Sequence, residues 1–428
     1  MYKRNEGFDG VDSGVAMMEG LESRLFLAGD VSAVVRGGTL RIVGDAADNA
    51  IYIDADGLAA GQIRITSIDE DTRINGQSSV VLAGVTRGLD VRVGGGNDTV
   101  EIANVSATAL FYDGGAGTNS LRLIDDAFTG DIRVQSRSGS QNVEVHNASA
   151  RGMNMSLGAG DHTAQLYDLR LSRNLQVTSR GSLDIGVREG TAIGGKVTIT
   201  SRSGSEIFTG SSTIRGSLSV RNHQGGGSFI MDAISVGGNV TFRGGRVGTN
   251  ITLTDNLIDG TLRVRNTGRG VFFMSQTRVS GSVVLQFGSS ADSEVTVEDS
   301  TLKLNLRITT GSGNDTVTVV RTDVFGTTRV NTGRGDDTVT LNNSFRPEAF
   351  WGSVSVSTGR GNDTVNYGGD FFGAVTFNGG PGQDTLREHE GAVLARTPRL
   401  ISFEIREFVP APEPEPEPEE PDFAMSDK

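Results

Sequence analysis

A short string that recurs five times constrains the fold of this 428-residue chain more than any bulk property does. At residues 354–365 it reads Val-Ser-Val-Ser-Thr-Gly-Arg-Gly-Asn-Asp-Thr-Val, which is an alternating strand, a glycine-rich corner that ends in Asp, and the start of a second strand. Near-copies lie at 91–100, 308–317, 329–339 and 377–386. Repetition of so specific a string predicts a protein built from stacked structural units.

The first glycine of the corner sets a regular spacing along the chain. Clear copies begin at Gly94, Gly115, Gly158, Gly311, Gly333, Gly359 and Gly380. The first and last lie 380 − 94 = 286 residues apart, and 286/13 = 22, so the interval holds fourteen corners. Degenerate corners occupy the intervening positions, for example at 203–206 and 268–270, which indicates that the repeat continues through the middle of the chain.

Each unit of about 22 residues holds three short strands of alternating apolar and polar residues and shows no helical period. Three strands with their corners make up one coil of a parallel β-helix. We therefore predict an all-β, single-stranded, right-handed parallel β-helix (β-solenoid) of roughly fourteen or more coils, with the hand taken from that of parallel crossovers. At ~4.8 Å per coil the rod is ~65–70 Å long. A β-propeller would need two units per four-stranded blade, and no alternate-repeat pattern is visible.

The sequence divides into five segments around this repeat. Residues 94–392 carry the parallel β-helix, and the alternating stretch 31–93 predicts two or three lead-in coils whose strands form an N-terminal cap. The apolar, Gly-free segment 393–409 predicts a C-terminal cap, because the last coil exposes strand edges. An acidic Pro-Glu tail follows at 410–428, and a flexible, export-type segment precedes at 1–30.

Composition and charge exclude several classes of function. Glycine is abundant at 60 residues while aromatic residues make up 6%, which suits frequent tight corners. No cysteine is present, so disulfides and thiolate metal sites are excluded. Residues 410–428 hold seven acidic residues and one Lys, hence −6 of the net −13, and the rest carries −13 + 6 = −7. With this negative charge, nucleic acid is not an expected partner, and divalent cations are favoured instead. No apolar run approaches the ~20 residues that a transmembrane helix requires.

The N-terminal segment carries a first resemblance. Residues 21–30 (Leu-Glu-Ser-Arg-Leu-Phe-Leu-Ala-Gly-Asp) resemble the Leu-Glu-Pro-Arg-x-Leu-Leu motif near the N-termini of many large extracellular proteins of planctomycete bacteria, with Ser23 in place of Pro and Phe-Leu in place of Leu-Leu. Residues 38–51 and 80–85 look like the continuation in that group. The resemblance implies export to the cell surface or beyond. The alternative for these ten residues is an ordinary amphipathic helix.

The corners carry a second resemblance. Residues 379–387 are similar to the Gly-Gly-x-Gly-x-Asp nonapeptide of haemolysin-type (RTX) calcium-binding repeats, and 93–101, 310–318, 332–340 and 358–366 match except for the first Gly. The resemblance implies that glycine-loop carbonyls and Asp carboxylates bind Ca²⁺, a hard cation that takes six to eight oxygen ligands. The metal-site residues so implied are Asp98, Asp315, Asp337, Asp363, Asp384, Gly311, Gly313, Gly333, Gly335, Gly359, Gly361, Gly380 and Gly382.

The chain departs from that family in ways that leave two interpretations open. Here one nonapeptide occurs per coil rather than a tandem run, Asn119 and His162 replace the Asp, and the middle corners at 203–288 mostly lack it. A calcium ladder is thus expected at 311–386, with a weaker site near 94–98. In the other interpretation, Gly supplies a positive φ and Asp hydrogen-bonds turn backbone. Repulsion between stacked carboxylates one coil apart favours Ca²⁺.

The sequence predicts a non-enzymatic, secreted or cell-surface β-solenoid with a structural or adhesive role. Its expected partners are cell-surface polysaccharide or other surface proteins, and its oligomeric state is open. The alternative is a polysaccharide-binding or polysaccharide-degrading β-helix enzyme of the lyase or glycosidase type, which would show a lateral groove lined by acids and bases. Against this alternative, His146, His162, His223 and His389 are scattered without metal-ligand spacing.

Two further sets of side chains bear on that alternative. Exposed aromatic residues would suit sugar binding, but we interpret the pairs Phe272-Phe273, Phe350-Trp351 and Phe371-Phe372 as core or capping residues. A partial arginine ladder on one outer face is predicted, and charge there keeps a long sheet soluble. Its members are Arg133, Arg202, Arg221, Arg243, Arg263, Arg265, Arg307 and Arg329.

Overall fold

The computed structural model describes residues 29–410, except 225, 289–290 and 343–348. The described residues form fifty β-strands and no helix. The strands make three sheets that run along the solenoid, and almost all pairings join a strand to its equivalent one coil later. The prediction of an all-β solenoid with coils of about 22 residues is confirmed.

Sheet 1 contains eighteen strands, and from Gly88–Arg92 onward every pairing is parallel. Its strands are Asp30–Arg36, Thr39–Val43, Arg73–Ile74, Gly88–Arg92, Ala109–Asp113, Asp131–Gln135, Gly152–Leu157, Leu175–Ser179, Val197–Ser201, Leu218–Asn222, Val240–Arg243, Leu262–Asn266, Val283–Phe287, Leu306–Thr309, Thr328–Arg334, Val354–Arg360, Val375–Asn378 and Arg399–Ile401.

Sheet 2 also contains eighteen strands, and from Gly88–Arg92 onward each sheet 1 strand leads into a sheet 2 strand across a first corner, which we call corner 1. Its strands are Ala50–Asp54, Gln62–Ser67, Ser79–Ala83, Thr99–Ala103, Asn119–Ile124, Gln141–His146, Asp161–Tyr167, Ser182–Arg188, Ser205–Gly210, Gly227–Asp232, Thr249–Thr254, Gly270–Ser275, Glu294–Glu298, Thr316–Val320, Thr338–Asn342, Thr364–Gly368, Thr385–His389 and Ile405–Val409.

Sheet 3 contains fourteen short strands, one for each full coil. Corner 2 joins sheet 2 to sheet 3, and corner 3 returns the chain to sheet 1. The strands of sheet 3 are Ser106–Ala107, Ala127–Phe128, Ser149–Ala150, Arg170–Leu171, Ala192–Ile193, Thr213–Ile214, Ser235–Val236, Leu257–Ile258, Arg278–Val279, Thr301–Leu302, Asp323–Val324, Ala349–Phe350, Asp370–Phe371 and Val393–Leu394.

The alternating strand pattern places one apolar column per strand position inside the coil. Leu262, Val283 and Leu306 are direct neighbours on three successive strands of sheet 1 and are at most 1% exposed. Complete burial of such a side chain contributes about 1.5–3 kcal/mol. A single coil cannot enclose these side chains, so the core forms only when coils stack in register.

The N-terminal strands differ from the predicted lead-in coils. Asp30–Arg36 pairs antiparallel with Thr39–Val43, and Gln62–Ser67 lies antiparallel between Ala50–Asp54 and Ser79–Ala83. Strands in hairpins and strands in coils show the same alternation of apolar and polar residues, so alternation cannot distinguish the two. The first hairpin is selected by its two-residue turn at 37–38, where both residues are glycines with positive φ. These strands then cover the first coil, because Thr39–Val43 runs parallel to Gly88–Arg92.

The C-terminal segment 393–409 adds strands to all three sheets, each parallel to the strand before it. It therefore continues the coil, and Ile405 and Phe408 remain 41% and 64% exposed in this last described strand of sheet 2. The export-type segment predicted at 1–30 and the acidic tail predicted at 410–428 fall, apart from residues 29, 30 and 410, outside the described residues.

Candidate functional site

All five aspartates of the predicted metal site lie in corner 1, immediately before a strand of sheet 2. Each is at most 1% exposed. Asp315, Asp337, Asp363 and Asp384 occupy four successive coils, where the strands that follow them are paired in register. Asp98 lies in the first coil. The structure thus brings four of the five aspartates together in successive coils of one column and places the fifth in the same column at the N-terminal end of the solenoid.

The carboxylates of this column cap backbone amides. In each case Oδ1 accepts a hydrogen bond from the N–H of the equivalent residue one coil earlier, and we call this series the inner ladder. The bonds run from Ser293 N to Asp315 (2.7 Å), Asp315 N to Asp337 (2.8 Å), Asp337 N to Asp363 (2.8 Å) and Asp363 N to Asp384 (3.0 Å). Asp98 accepts from the Asn49 N–H in the same way at 2.9 Å.

The residue before each Asp forms a second, more exposed series that points the other way. These side chains accept from the N–H one coil later, and we call them the outer ladder. The bonds run from Asn314 N to Asp292 (2.7 Å), Asp336 N to Asn314 (2.9 Å), Asn362 N to Asp336 (2.7 Å) and Gln383 N to Asn362 (2.9 Å). The sequence reasoning missed this role, although an Asn or Asp before the Asp in four of the five copies was its signal.

The glycines of the last three corners are required by close stacking. The six positions have φ between 100° and 156°: Gly333, Gly335, Gly359, Gly361, Gly380 and Gly382. A Cβ at Gly359 would also overlap the carbonyl oxygen of Gly333 one coil earlier. Gly311 and Gly313 lie directly below this stack, and a Cβ at Gly313 would meet the Ala291 and Asp292 backbone. Glycine is therefore needed for backbone contact between coils.

The second carboxylate oxygen of each aspartate is buried and has no hydrogen-bond partner among the described residues. These atoms are Oδ2 of Asp98, Asp315, Asp337, Asp363 and Asp384. Burial raises the pKa of all five, to about 6 for Asp98 and Asp337. At Asp337 the neighbouring carboxylates of Asp363 and Asp315 raise the pKa further, while the hydrogen bond from the Asp315 N–H lowers it.

The free Oδ2 atoms of the column are candidate ligands for a hard cation. Within the described ranges, no three His, Asp or Glu side chains lie close enough together to hold one metal ion. Successive carboxylates are separated by about one strand spacing, ~4.8 Å, so an ion between two coils would meet two of the free oxygens. Glycine carbonyls would have to supply the remaining ligands. The all-oxygen donors and the buried, unpartnered Oδ2 atoms fit Ca²⁺, which would neutralise the stacked charges.

Corner 2 contains a regular feature that the sequence analysis did not identify. Its first residue has a positive φ of 35–57° in coil after coil: Asn104, Asp125, Asn147, Asp168, Glu189, Ser211, Ala233, Asp255, Gln276, Asp299 and Arg321. A buried polar side chain often follows; Asp126 Oδ1, for example, accepts from the Val105 N–H at 2.9 Å. The detectable signal was Asn or Asp at steps of 125 − 104 = 21, 147 − 125 = 22 and 168 − 147 = 21 residues. Asn and Asp tolerate this backbone conformation best after Gly.

The groove required by the enzyme alternative is present in part. A groove of about 650 Å³ lies on the outer face of sheet 1 near its N-terminal end, with Asp90, Arg92, Phe111, Asp131 and Arg151 in its lining. Both carboxylates are ion-paired, Asp90 to Arg92 at 2.8 Å and Asp131 to Arg151 at 2.9 Å. The Arg151 guanidinium lowers the pKa of Asp131. A general base at neutral pH needs the opposite shift.

The aromatic pairs divide between the core and the surface. Phe350 and Phe371 are 1% exposed, as a core role requires, but Trp351 and Phe372 are 46% and 45% exposed. Of the two roles predicted for these pairs, core or capping, the core role is therefore wrong for Trp351 and Phe372, which directly follow the buried Phe350 and Phe371 and point to the opposite side. Trp351 stacks on Phe325 and Phe372 with ring centroids 5.8 and 4.7 Å apart, so these ring faces mainly cover each other rather than a ligand.

Three continuous sheets and corners with cross-coil caps define this protein as a parallel β-solenoid. The chain matches no protein-family model, no curated protein and no solved structure. Among the described residues there is no helix long and apolar enough to cross a membrane.

Proposed function

We propose that the protein is a secreted or cell-surface β-solenoid with a structural or adhesive, non-enzymatic role. The observation that carries the proposal is the cross-coil capping at the corners, where side chains bond to the backbone of a neighbouring coil in addition to the sheet ladders. Such ties stiffen a rod against bending between coils. A stiff rod holds a surface at a fixed distance from its attachment. The N-terminal resemblance to extracellular proteins supports the location.

The location is tested by protease treatment of intact producing cells. Loss of the chain, with a cytosolic marker protected, is the expected result; a chain that stays protected until the cells are lysed contradicts the proposal. The role is tested in cells that lack the chain, which should attach less well to one another or to a surface. Unchanged attachment would argue against adhesion.

A coil deletion tests the rod itself. Met153, Leu175 and Val197 pair in register on successive strands of sheet 1, so removal of residues 153–196 deletes two coils and preserves the register. The shortened protein should fold, reach the surface and measure ~10 Å less in solution scattering. In the attachment assay, this shortened protein is the control for cells that lack the chain, because it changes only the length of the rod.

For the C-terminal corners we propose Ca²⁺ as a stabilising ligand. The unpartnered Oδ2 atoms of the inner ladder support this second proposal, since stacked carboxylates without a counter-charge repel one another. Unfolding at pH 7.5 is compared in excess Ca²⁺ and in chelator. Ca²⁺ should raise the unfolding midpoint, and Mg²⁺ should do so less, because it requires a smaller and more regular oxygen shell. Superimposable curves would exclude the calcium role and leave the rod proposal intact.

A further inference from the structure

The outer face of sheet 1 carries a row of arginines in the middle and C-terminal coils. Seven of the eight predicted ladder residues point outward from this sheet, whereas Arg202 lies just beyond Val197–Ser201 in corner 1. Six of them are exposed and lie between Leu218–Asn222 and Thr328–Arg334. We call these the arginine face: Arg221, Arg243, Arg263, Arg265, Arg307 and Arg329.

On the described strands of sheet 1, no acidic side chain accompanies them on that face. From Gly152–Leu157 to Val375–Asn378, the outward positions of sheet 1 hold arginine or uncharged residues and no Asp or Glu. None of the six arginines forms an ion pair with any residue that the structure describes. The chain as a whole has more acidic than basic residues, 52 against 39, so this distribution is not a result of composition.

On the outer face of sheet 2, by contrast, arginines are paired with acidic side chains. There Arg122 lies between Glu101 and Glu144, at 3.6 and 3.7 Å, and Arg387 contacts Glu407 at 2.6 Å. Those ion pairs are exposed and each contributes little, about 0–1 kcal/mol. They nevertheless show that acidic partners are supplied on sheet 2 and are missing from the arginine face.

The unpaired row is unfavourable to the folded rod by itself. Arg221, Arg243 and Arg265 are direct neighbours on three successive strands, so like charges stand one strand spacing apart. Like charges directly opposite each other destabilise a sheet. Solubility calls for charge on an outer face but not for one sign only. A partner that brings regularly spaced negative charge explains both the single sign and the regular spacing.

The geometry of the face selects the chemistry of that partner. A pyranose unit in an extended glycan is about as long as the ~4.8 Å coil spacing, so one acidic sugar can meet each coil. Guanidinium groups bind carboxylate and sulfate with two parallel hydrogen bonds. Uncharged polar side chains such as Thr241, Gln286 and Asn331 are interleaved and can bond sugar hydroxyls. The outward positions here include no aromatic side chain on which nucleic-acid bases could stack.

We propose that the arginine face binds a linear acidic polysaccharide, carboxylated or sulfated, laid along the axis of the solenoid. The inference rests on the proposed surface role and names the polymer that the rod would hold. Binding is non-covalent, and no bond of the polymer is cleaved.

Binding is measured on the full chain with polygalacturonate and chondroitin sulfate, with dextran as the neutral polymer. Both acidic polymers should bind, weaken with salt and keep their length, and dextran should not bind. The Arg243→Gln/Arg265→Gln variant should lose affinity on the order of tenfold or more, as expected for lost charge-assisted hydrogen bonds. The matched variant on sheet 2, Arg122→Gln/Arg387→Gln, should bind as the parent does. Arg243→Lys/Arg265→Lys should fall between, because it keeps the charge and loses the bidentate geometry.

Three outcomes would overturn the inference: equal loss in both glutamine variants, binding to dextran as tight as to the acidic polymers, or tighter binding of single-stranded DNA, which would indicate a nucleic-acid surface instead. A circular dichroism spectrum like that of the parent and a single cooperative unfolding transition verify that each variant is folded. Protease protection in intact cells would defeat the surface role while leaving this binding in place, and a surface-exposed chain that binds neither acidic polymer would defeat this inference alone.

Discussion

Corner 1 is built differently in the C-terminal coils and in the middle of the rod. In the C-terminal coils, glycines with positive φ and the inner ladder of aspartates satisfy the corner. In the described part of the middle corners, at 203–288, no glycine has a positive φ. There the amide at the inner-ladder position bonds to a backbone carbonyl instead, as from Thr249 N to Arg269 O at 3.0 Å. Because the coil length and the sheets continue through both regions, the aspartates are not needed to build a coil.

The first coils show that the cap does not require a charge either. Asn119 occupies the same column and accepts the hydrogen bond of the Asp98 N–H at 2.8 Å with a neutral amide. Four successive aspartates therefore add something beyond capping, at the expense of burying charges that repel one another. A bound cation, or a proton at low pH, would neutralise these carboxylates and would explain why Asp rather than Asn occupies the four positions. The substitutions described next compare the C-terminal corners with the middle corners and test whether the aspartates require a counter-charge.

The largest effect is expected from a side chain in the stacked glycines. Gly359→Ala places a Cβ at φ 107° and against the Gly333 carbonyl, and should lower the free energy of unfolding by about 3 kcal/mol. Gly248→Ala in a middle corner is the matched control: its Cβ would have only an ordinary contact, 3.7 Å from Arg269 O. That change should stay within about 0.5 kcal/mol. Denaturant unfolding compares them, and equal losses would refute the distinction between the two corners.

The next effect concerns the inner ladder. Asp337→Ala removes the acceptor of the Asp315 N–H, which lies in a buried corner, and should destabilise the protein by about 1–3 kcal/mol. Asp337→Asn keeps an acceptor, as Asn119 does, and removes a buried charge, so it should not destabilise the protein. Hydrogen exchange of a peptide that covers residue 315 should accelerate in the alanine variant and not in the asparagine variant. If both variants exchange like the parent, the cap contributes nothing to this corner.

The alternation, the coil length and the number of coils could be predicted from sequence because they repeat. One-residue changes of register would turn apolar residues such as Val354 and Val356 outward, so the pattern fixes which side faces the core. Alternation could not reveal the hairpins at 30–83, since strand direction leaves no mark on it, and the signal for the first of them was the Gly37-Gly38 turn. The aspartates were found as a motif, but their bonds could not be, because they join residues 21 to 26 positions apart across coils.

The pH dependence of stability should also differ between the two regions. Burial raises the pKa of Asp98 and Asp337 from 3.8 to about 6, and the folded chain therefore binds more protons than the unfolded chain between these values. The free energy of unfolding should then fall as pH rises from about 4 to 7 in chelator, because these buried carboxyl groups lose their protons over that range. Added Ca²⁺ should restore stability at pH 7 and have little effect at pH 4.

A double substitution provides the control for that pH series. Asp337→Asn/Asp363→Asn removes two of the titrating groups while it keeps both caps, and should flatten the pH profile and reduce the response to Ca²⁺. The middle coils are followed by hydrogen exchange of 249–275, and their protection relative to the intrinsic exchange rate at each pH should change little with pH in either protein. An undiminished pH slope in the double variant would mean that other groups, such as the buried Asp126 in corner 2, with a pKa raised to about 7, dominate.

The smallest effect is expected at the outer ladder. Asn362→Ala removes the acceptor of the Gln383 N–H, but this corner position is exposed, so water replaces the lost bond and the stability decreases by about 0.5–1 kcal/mol. The response to Ca²⁺ should not change, because the amide of Asn362 belongs to the exposed series and is separate from the buried Oδ2 atoms. If Asn362→Ala abolished the calcium response while Asp337→Asn/Asp363→Asn left it intact, the ion would bind the outer ladder. The roles of the two ladders would then be reversed: the buried aspartates would only cap the backbone, and the exposed residues would bind the metal.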